Sequence, residues 1–346
     1  MKIKKEIDLE QLVRPNVLQM QAYSSARSEF TGRADVFLDA NENPYETGLN
    51  RYPDPLQKAL KNKIASIKGV DPQQIFLGNG SDEAIDLLIR IFCRPGQDHI
   101  LTLPPTYGMY KVSAALSAVA IKTVPLQSNF QLDVAQILAK ANQQSKLLFI
   151  CSPNNPTGNS IERQAITTLL KNFQGIVVID EAYIDFSGQT SCTELLAQYN
   201  NLVVLQTFSK AWGLAGIRLG MAFANGAIIQ LFNKTKPPYN INTLSQQAAL
   251  KALENHTEIQ KQLGETCQER ERLSIALKKM PFIQMIYPSD ANFLLVKMTQ
   301  PKIVYRYLLE QKIIVRDRSK VLLCEGCLRF TVGTPKENQQ LIQSLQ

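Results

Sequence analysis

Three apolar runs of the 346-residue chain end in side chains that can do chemistry: KLLFICSPNN in Asn154 and Asn155, GIVVID in Asp180, and NLVVLQTFSK in Lys210. An amide, a carboxylate and an amine at such ends can form a purely structural hydrogen-bond cluster, and one ending alone would be read that way. A fourth feature shifts the balance. In GNGSDEAIDLL an apolar run meets glycines and then opens a helical pattern, so the backbone N–H groups near Gly80, Ser81 and Asp82 face outward at a helix N-terminus. That arrangement suits a phosphate, although Asn79 or Ser81 acting as an ordinary N-cap explains the same residues. Together the four features describe a place for a phosphorylated ring: an amine to condense with its carbonyl and a carboxylate to hold its ring nitrogen protonated.

Such residues need a scaffold that delivers them to one edge. Between about 70 and 225 the chain alternates apolar runs with amphipathic segments. QIFLGNG, HILTLPP, AIKTVPL, KLLFICSP, GIVVIDEAY, NLVVLQTFS and GMAFA are expected strands, and their continuous Val, Ile, Leu and Phe content suits strands covered on both faces. In SDEAIDLLIRIF, Ile85, Leu88, Ile89 and Phe92 repeat at helical spacing. The expectation is an α/β domain with a mostly parallel central sheet flanked by helices, in which ligands bind beyond the carboxyl ends of the strands. After about 245 a long charged segment, LSQQAALKALENHTEIQKQLGETCQERERLSIALKKM, is expected as one helix. ANFLLVKM, KIIVRDRS and CLRFTVG follow as strands, with PKIVYRYLLEQ as a helix between the first two, which is an α+β pattern. The expected division is an N-terminal arm joined to the smaller domain (1–45), a large domain (46–245) and a small C-terminal domain (246–346).

Composition narrows the classes. The net charge of +8 comes from 38 basic and 30 acidic residues with no block of five or six like charges, so no nucleic-acid partner is expected. No apolar stretch approaches a membrane span, and MKIKKEIDLEQLV lacks the apolar core of a secretory signal, so the expected location is the cytoplasm. Six cysteines in that compartment read as reduced thiols. Cys324 and Cys327 form a C-x-x-C, but there is no second pair, and the two histidines, His99 and His256, lie elsewhere; no metal site is expected.

CSPNNPTG, VIDEAYIDF, TFSKAWGLAGIRLG and CLRFTVGT resemble, in order and spacing, the fold-type I, class I/II aminotransferases that use pyridoxal 5'-phosphate. Asp180 to Tyr183 is three residues, Asp180 to Lys210 thirty, and Lys210 to Arg218 eight. LDANENPY, RYPDP, GNGSDEAIDLL, PPTYGMY, PSDANFLL, VRDRSK and AYSSAR further resemble the histidinol-phosphate branch, over about residues 14 to 335.

The resemblance implies roles. Lys210 would be the Schiff-base lysine and proton shuttle, Asp180 the partner of the ring nitrogen, and Asn155 and Tyr183 the partners of the phenolate oxygen. Tyr107 would stack on the ring, while Ser81, Asp82, Thr207, Ser209 and Arg218 would hold the phosphate. Tyr52 would reach the phosphate of a neighbouring subunit, making the site complete only in a homodimer. Arg329 and Arg316 would bind carboxylate or phosphate, since a guanidinium fork accepts both. Tyr23 and Arg27 would complete a mobile cover, with Asn43 a weaker candidate. Arg318 is left out, because an arginine near a turn is more often a surface ion pair. Gln206, Trp212 and Met221 depart from a frequent arginine, phenylalanine and aromatic without removing a group that the chemistry needs.

The implied reaction is transamination of L-histidinol phosphate with 2-oxoglutarate, giving imidazole-acetol phosphate and L-glutamate in histidine biosynthesis through a ping-pong cycle. An aromatic or broad-specificity aminotransferase and a threonine-phosphate decarboxylase are the rivals of the same fold. A non-catalytic, effector-binding regulator is the rival from another class; it would ordinarily carry a DNA-binding domain, and only about 40 residues precede the first family motif.

Overall fold

The computed structural model describes residues 6–24, 29, 32 and 34–346. Seven strands form the main sheet: β1 (Ile75–Asn79), β2 (His99–Thr102), β3 (Ala120–Thr123), β4 (Ser145–Cys151), β5 (Ile176–Asp180), β6 (Leu202–Thr207) and β7 (Leu219–Ala224). Each coincides with one of the seven runs that the sequence marks as strands, β4 and β7 starting one residue earlier, at Ser145 and Leu219. Their order is β1-β7-β6-β5-β4-β2-β3. β7 runs antiparallel to both its neighbours, and every other pairing is parallel.

Continuous apolar runs are explained by burial on both sides. Leu148, Ile150, Val177, Ile179 and Val204 face one core with the helices Lys58–Lys68 and Arg163–Asn172. Leu147, Phe149, Val178, Val203 and Leu205 face another, filled by Ile85, Leu88, Ile89 and Phe92 of the helix Gly80–Phe92. The alternation along each strand divides its side chains between the two cores.

A second sheet, of order β10-β11-β9-β8, is antiparallel throughout: β8 (Ile283–Ile286), β9 (Phe293–Met298), β10 (Arg316–Asp317) and β11 (Cys327–Thr331). Leu273 and Leu277 of the helix His256–Leu277 and Leu341 and Leu345 of the C-terminal helix Pro335–Leu345 pack on its Leu294, Val296, Leu328 and Phe330.

Three local expectations change. The long charged segment is two helices, Thr243–Glu254 and His256–Leu277, broken at Asn255, whose ψ of 30° leaves the helical range. Asparagine is a weak helix former, and here its N–H closes a tighter turn onto Ala252 O. Only Arg316 and Asp317 of KIIVRDRS pair as a strand, while Ile313 and Val315 pack on the second core from an irregular backbone. β8 is additional; its Gln284 and Met285 are exposed, so the segment lacks a continuous apolar signature.

The sheet fixes the start of the helix Gly80–Phe92 by direct backbone contact. Gly78 and Gly220 are register partners on β1 and β7, and Gly80 N–H donates to Arg218 O at 2.7 Å. Gly80 itself has a φ of +68°, which glycine adopts without steric cost. A Cβ on Gly220 would lie 2.1 Å from Ser81 N and 2.3 Å from Gly80 C. Because those neighbours are backbone, they cannot swing away. Gly220→Ala is therefore expected to lower stability by about 3 kcal/mol, read as a reduced urea midpoint.

Candidate active site

A cavity of about 690 Å³ opens where β4, β5 and β6 end and the helix Gly80–Phe92 begins. Its walls bring together most of the residues selected from the sequence: Ser81, Asp82, Tyr107, Asn155, Asp180, Tyr183, Thr207, Ser209, Lys210, Arg218, Arg316 and Arg329.

Asp180 closes β5 and is 2% exposed. Its carboxylate accepts a hydrogen bond from Tyr110 Oη at 2.6 Å and one from Ala182 N–H at 3.2 Å. Burial nevertheless pushes its pKa up to about 6, with Asp82 and Glu181 pushing the same way. A buried carboxylate in that position is stabilised by a cation placed in the cavity. Tyr110 is a residue that the sequence reading missed. It stacks on Phe149 (4.6 Å between centroids, 17°) and meets Tyr107 edge-on at 5.6 Å, so its hydroxyl is held by packing. Its signal was faint: an aromatic three places after Tyr107 at the start of the helix Met109–Leu116.

Lys210 follows β6 through a tight turn. Ser209 N–H donates to Thr207 Oγ1 at 3.0 Å and Gly213 N–H to Lys210 O at 3.0 Å, while Phe208 and Trp212 anchor the turn in the core. The Lys210 amine lies 5.7 Å from the Tyr183 ring centroid. The residue is exposed by surface area because it faces the open cavity, yet its amine sits within the cavity walls. That enclosure lowers its pKa, and the positive Arg329 and Arg218 add to the effect against Asp180 and Asp82. The direction favours a neutral amine able to take a proton.

At the helix start, Asn79 makes no side-chain cap, leaving the first-turn amides facing the cavity. Glu83 turns back to accept from Asn79 N–H and Nδ2, and Asn240 Nδ2 donates to Glu83 as well. Arg218, at a φ of +53°, places its guanidinium 3.8 Å from the Asp82 carboxylate, to which Tyr107 Oη also donates at 3.2 Å. These amides, Thr207, Ser209 and Arg218 can surround a phosphate.

The opposite end of the cavity is cationic. Asn155 Nδ2 donates to Tyr183 Oη at 3.3 Å, and Arg329 Nη1 donates to Asn155 Oδ1. Arg329 also lies over the Phe293 ring at 4.9 Å. Beside it stand Arg316 and Arg318. Arg318, expected as a surface ion pair, instead lines the cavity half-buried, and its backbone N–H donates to Cys327 O at 3.0 Å. Cys327 N–H in turn donates to Cys324 O at 3.0 Å, so the C-x-x-C is a turn beneath Arg318. Both thiols are buried, which pushes their pKa values up to about 12 for Cys324 and about 11 for Cys327. Among the described residues, no cluster of three or more metal-ligating side chains occurs.

Tyr23, Asn43 and Tyr52 lie outside this cavity, and Arg27 lies outside the described residues. Tyr23 is exposed, and Asn43 Oδ1 accepts from Tyr45 N–H at 2.9 Å. Tyr52 stacks on Tyr239 at 4.4 Å and lines a second, more open cavity of about 580 Å³. Of the three departures, Gln206 donates to buried Glu181 at 3.0 Å, and Trp212 and Met221 lie in the core.

Residues 33–345 match the family described as aminotransferase class I and II. The chain belongs to the class I and II aminotransferases. It is 54% identical to the histidinol-phosphate aminotransferase of Parabacteroides distasonis over 98% of both chains. Among solved structures, the histidinol-phosphate aminotransferase of Clostridium acetobutylicum has a TM-score of 0.79 at 27% identity, covering 86% of this chain and 90% of that one. That of Sinorhizobium meliloti in complex with pyridoxal-5'-phosphate shares the fold, with a TM-score of 0.78 at 22% identity over 85% and 82% of the two chains.

The cavity of this aminotransferase fits pyridoxal phosphate on two independent grounds: a buried carboxylate in need of a cation, and uncapped helix amides beside an arginine. In the cofactor-free protein Asp180 has a raised folded-state pKa, so stability present below about pH 4 is lost as pH rises to about 6. Asp180→Asn removes that loss. The cofactor-free variant is expected to match the wild type near pH 4 and exceed it by about 2 kcal/mol at pH 8 in thermal melts, while its cofactor affinity falls at least ~10-fold.

Proposed function

We propose that this aminotransferase moves the amino group of L-histidinol phosphate to 2-oxoglutarate, giving imidazole-acetol phosphate and L-glutamate in histidine biosynthesis. What carries the reading is one cavity lined by an amine, a buried carboxylate and several arginines, in a chain 54% identical to a histidinol-phosphate aminotransferase.

Bound pyridoxal phosphate supplies the electron sink that makes the substrate Cα–H acidic. The protein does the rest. Asp180 keeps the proton on the ring nitrogen, and Tyr110 keeps Asp180 in place. Lys210, its basicity tuned by enclosure and neighbouring arginines, would take the proton from the substrate Cα and deliver it to C4′ of the cofactor. Asn155 and Tyr183 donate to the phenolate oxygen, and Tyr107 packs on the ring. The amides of Ser81 and Asp82, with Thr207, Ser209 and Arg218, hold the phosphate. Arg329 and Arg316 bind the anionic groups of donor and acceptor alternately, which lets one site serve both half-reactions.

In this reading the two sheets mark a large domain near 46–245 and a small one near 246–346, with residues 1–45 as an arm. A second copy covers the face around Tyr52, where Leu38, Tyr45, Leu49 and Leu244 are exposed. There Tyr52 reaches the neighbour's cofactor phosphate, and Tyr23, Arg27 and Asn43 join the neighbouring substrate pocket. Among the described residues no helix is long and apolar enough to cross a membrane, and we place the enzyme in the cytoplasm.

Half-reactions followed by the absorbance of the bound cofactor test the substrate. Histidinol phosphate is expected to exceed phenylalanine, aspartate and threonine phosphate in kcat/KM by at least ~100-fold, with no carbon dioxide released. A slower rate than any of these overturns the assignment. Lys210→Ala is expected to cut turnover by ~10⁴-fold or more while the thermal melt stays within a few degrees of wild type.

A further inference from the structure

The cationic end of the cavity holds more positive charge than one carboxylate can use. Arg316 and Arg329 are direct register partners on β10 and β11, and like charges placed opposite each other across an antiparallel pair repel. Arg318, two residues after Arg316, lines the same cavity. Asp317 between them offsets this charge only in part: burial and Arg316 still hold the Arg318 pKa below its ordinary value against the opposing pull of Asp317, whose carboxylate accepts from Ser319 N–H. Among the described residues no carboxylate lies within ion-pair distance of these three guanidiniums, and Nε of both Arg318 and Arg329 is buried without a hydrogen-bond partner. Three guanidiniums around an open cavity, with no described carboxylate paired to them, are a binding site in want of an anion.

The geometry points to Arg318 as a specificity-determining residue that supplies the second positive charge for a phosphate monoester dianion, in addition to the fork shared by carboxylates. This rests on the substrate reading above. A carboxylate carries one charge on two coplanar oxygens and is satisfied by one guanidinium fork. A phosphate monoester presents three terminal oxygens in three directions and nearly two charges at neutral pH, so it can engage several guanidiniums at once. Arg329 already commits Nη1 to Asn155, which leaves the additional charge to Arg316 and Arg318. Arg318 is the more enclosed of the two: it is half-buried where Arg316 is exposed, and its backbone N–H donates to Cys327 O at 3.0 Å. Its task is to favour the phosphorylated amino donor over glutamate in the same cavity.

The test compares Arg318→Gln and Arg318→Lys holoenzymes with wild type in the two half-reactions taken separately. Arg318→Gln is expected to raise KM for histidinol phosphate by roughly 30-fold with kcat within about 3-fold, to leave KM for glutamate within about 3-fold, and to weaken competitive inhibition by propyl phosphate by a similar 30-fold. Arg318→Lys, which restores charge without the fork, is expected to recover part of both phosphate effects and none of any glutamate effect. Equal losses for both donors, a loss confined to glutamate, or unchanged propyl phosphate inhibition each overturn the inference. If wild type rejects histidinol phosphate, the substrate reading falls; the propyl phosphate arm still decides whether Arg318 binds a phosphate monoester.

Discussion

Asp180 is a carboxylate withdrawn from water at the end of a central strand, and much of the site is organised around that charge. Two hydrogen bonds do not compensate the loss of hydration, so the folded chain retains an electrostatic demand that a ligand cation meets. The rest of the large sheet can be understood as what holds Asp180 there. β4 and β6 pair with β5 on either side and bury it, and Tyr110, wedged on Phe149, directs its hydroxyl at the carboxylate. A protein cation beside Asp180 would have made the empty fold more comfortable and the ligand less necessary.

The same logic of deliberate incompleteness runs along the cavity. At one end uncapped amides and Arg218 await negative charge; in the middle Asp180 awaits positive charge; at the far end Arg316, Arg318 and Arg329 await negative charge again. The order minus, plus, minus describes a phosphorylated cationic ring carrying an anionic substrate. Lys210 lines the same cavity, its pKa lowered first by burial and further by Arg329 and Arg218. Cationic groups that line the cavity therefore also lower the basicity of its lysine.

Much of this was legible in the sequence because the chemistry sits at the ends of strands buried on both faces, and such strands are written as unbroken apolar runs. Six of the seven strands of the large sheet fit that description; β3, the edge strand AIKT, is only partly buried. The second sheet was harder: β8 is half exposed, and most of KIIVRDRS contributes packing from an irregular backbone. Arg318 shows the limit most clearly. Its neighbours in sequence resemble a solvated turn, and only the register of β10 on β11 and the turn at Cys324 and Cys327 reveal that it faces inward. Tyr110 was hidden for the opposite reason, since a tyrosine on an apolar helix face is ordinary core until its hydroxyl is seen to meet Asp180.

The strand order carries a consequence for biosynthesis of the molecule itself. β1 and the helix that follows it are among the first elements to emerge from the ribosome, yet β1 pairs only with β7, some 140 residues later. The helix start is locked by Arg218 O and by the close backbone approach of Gly220, both delivered by that late segment. The helix start near residue 80 is therefore unfinished on the nascent chain until the segment around Arg218 and Gly220 has been released.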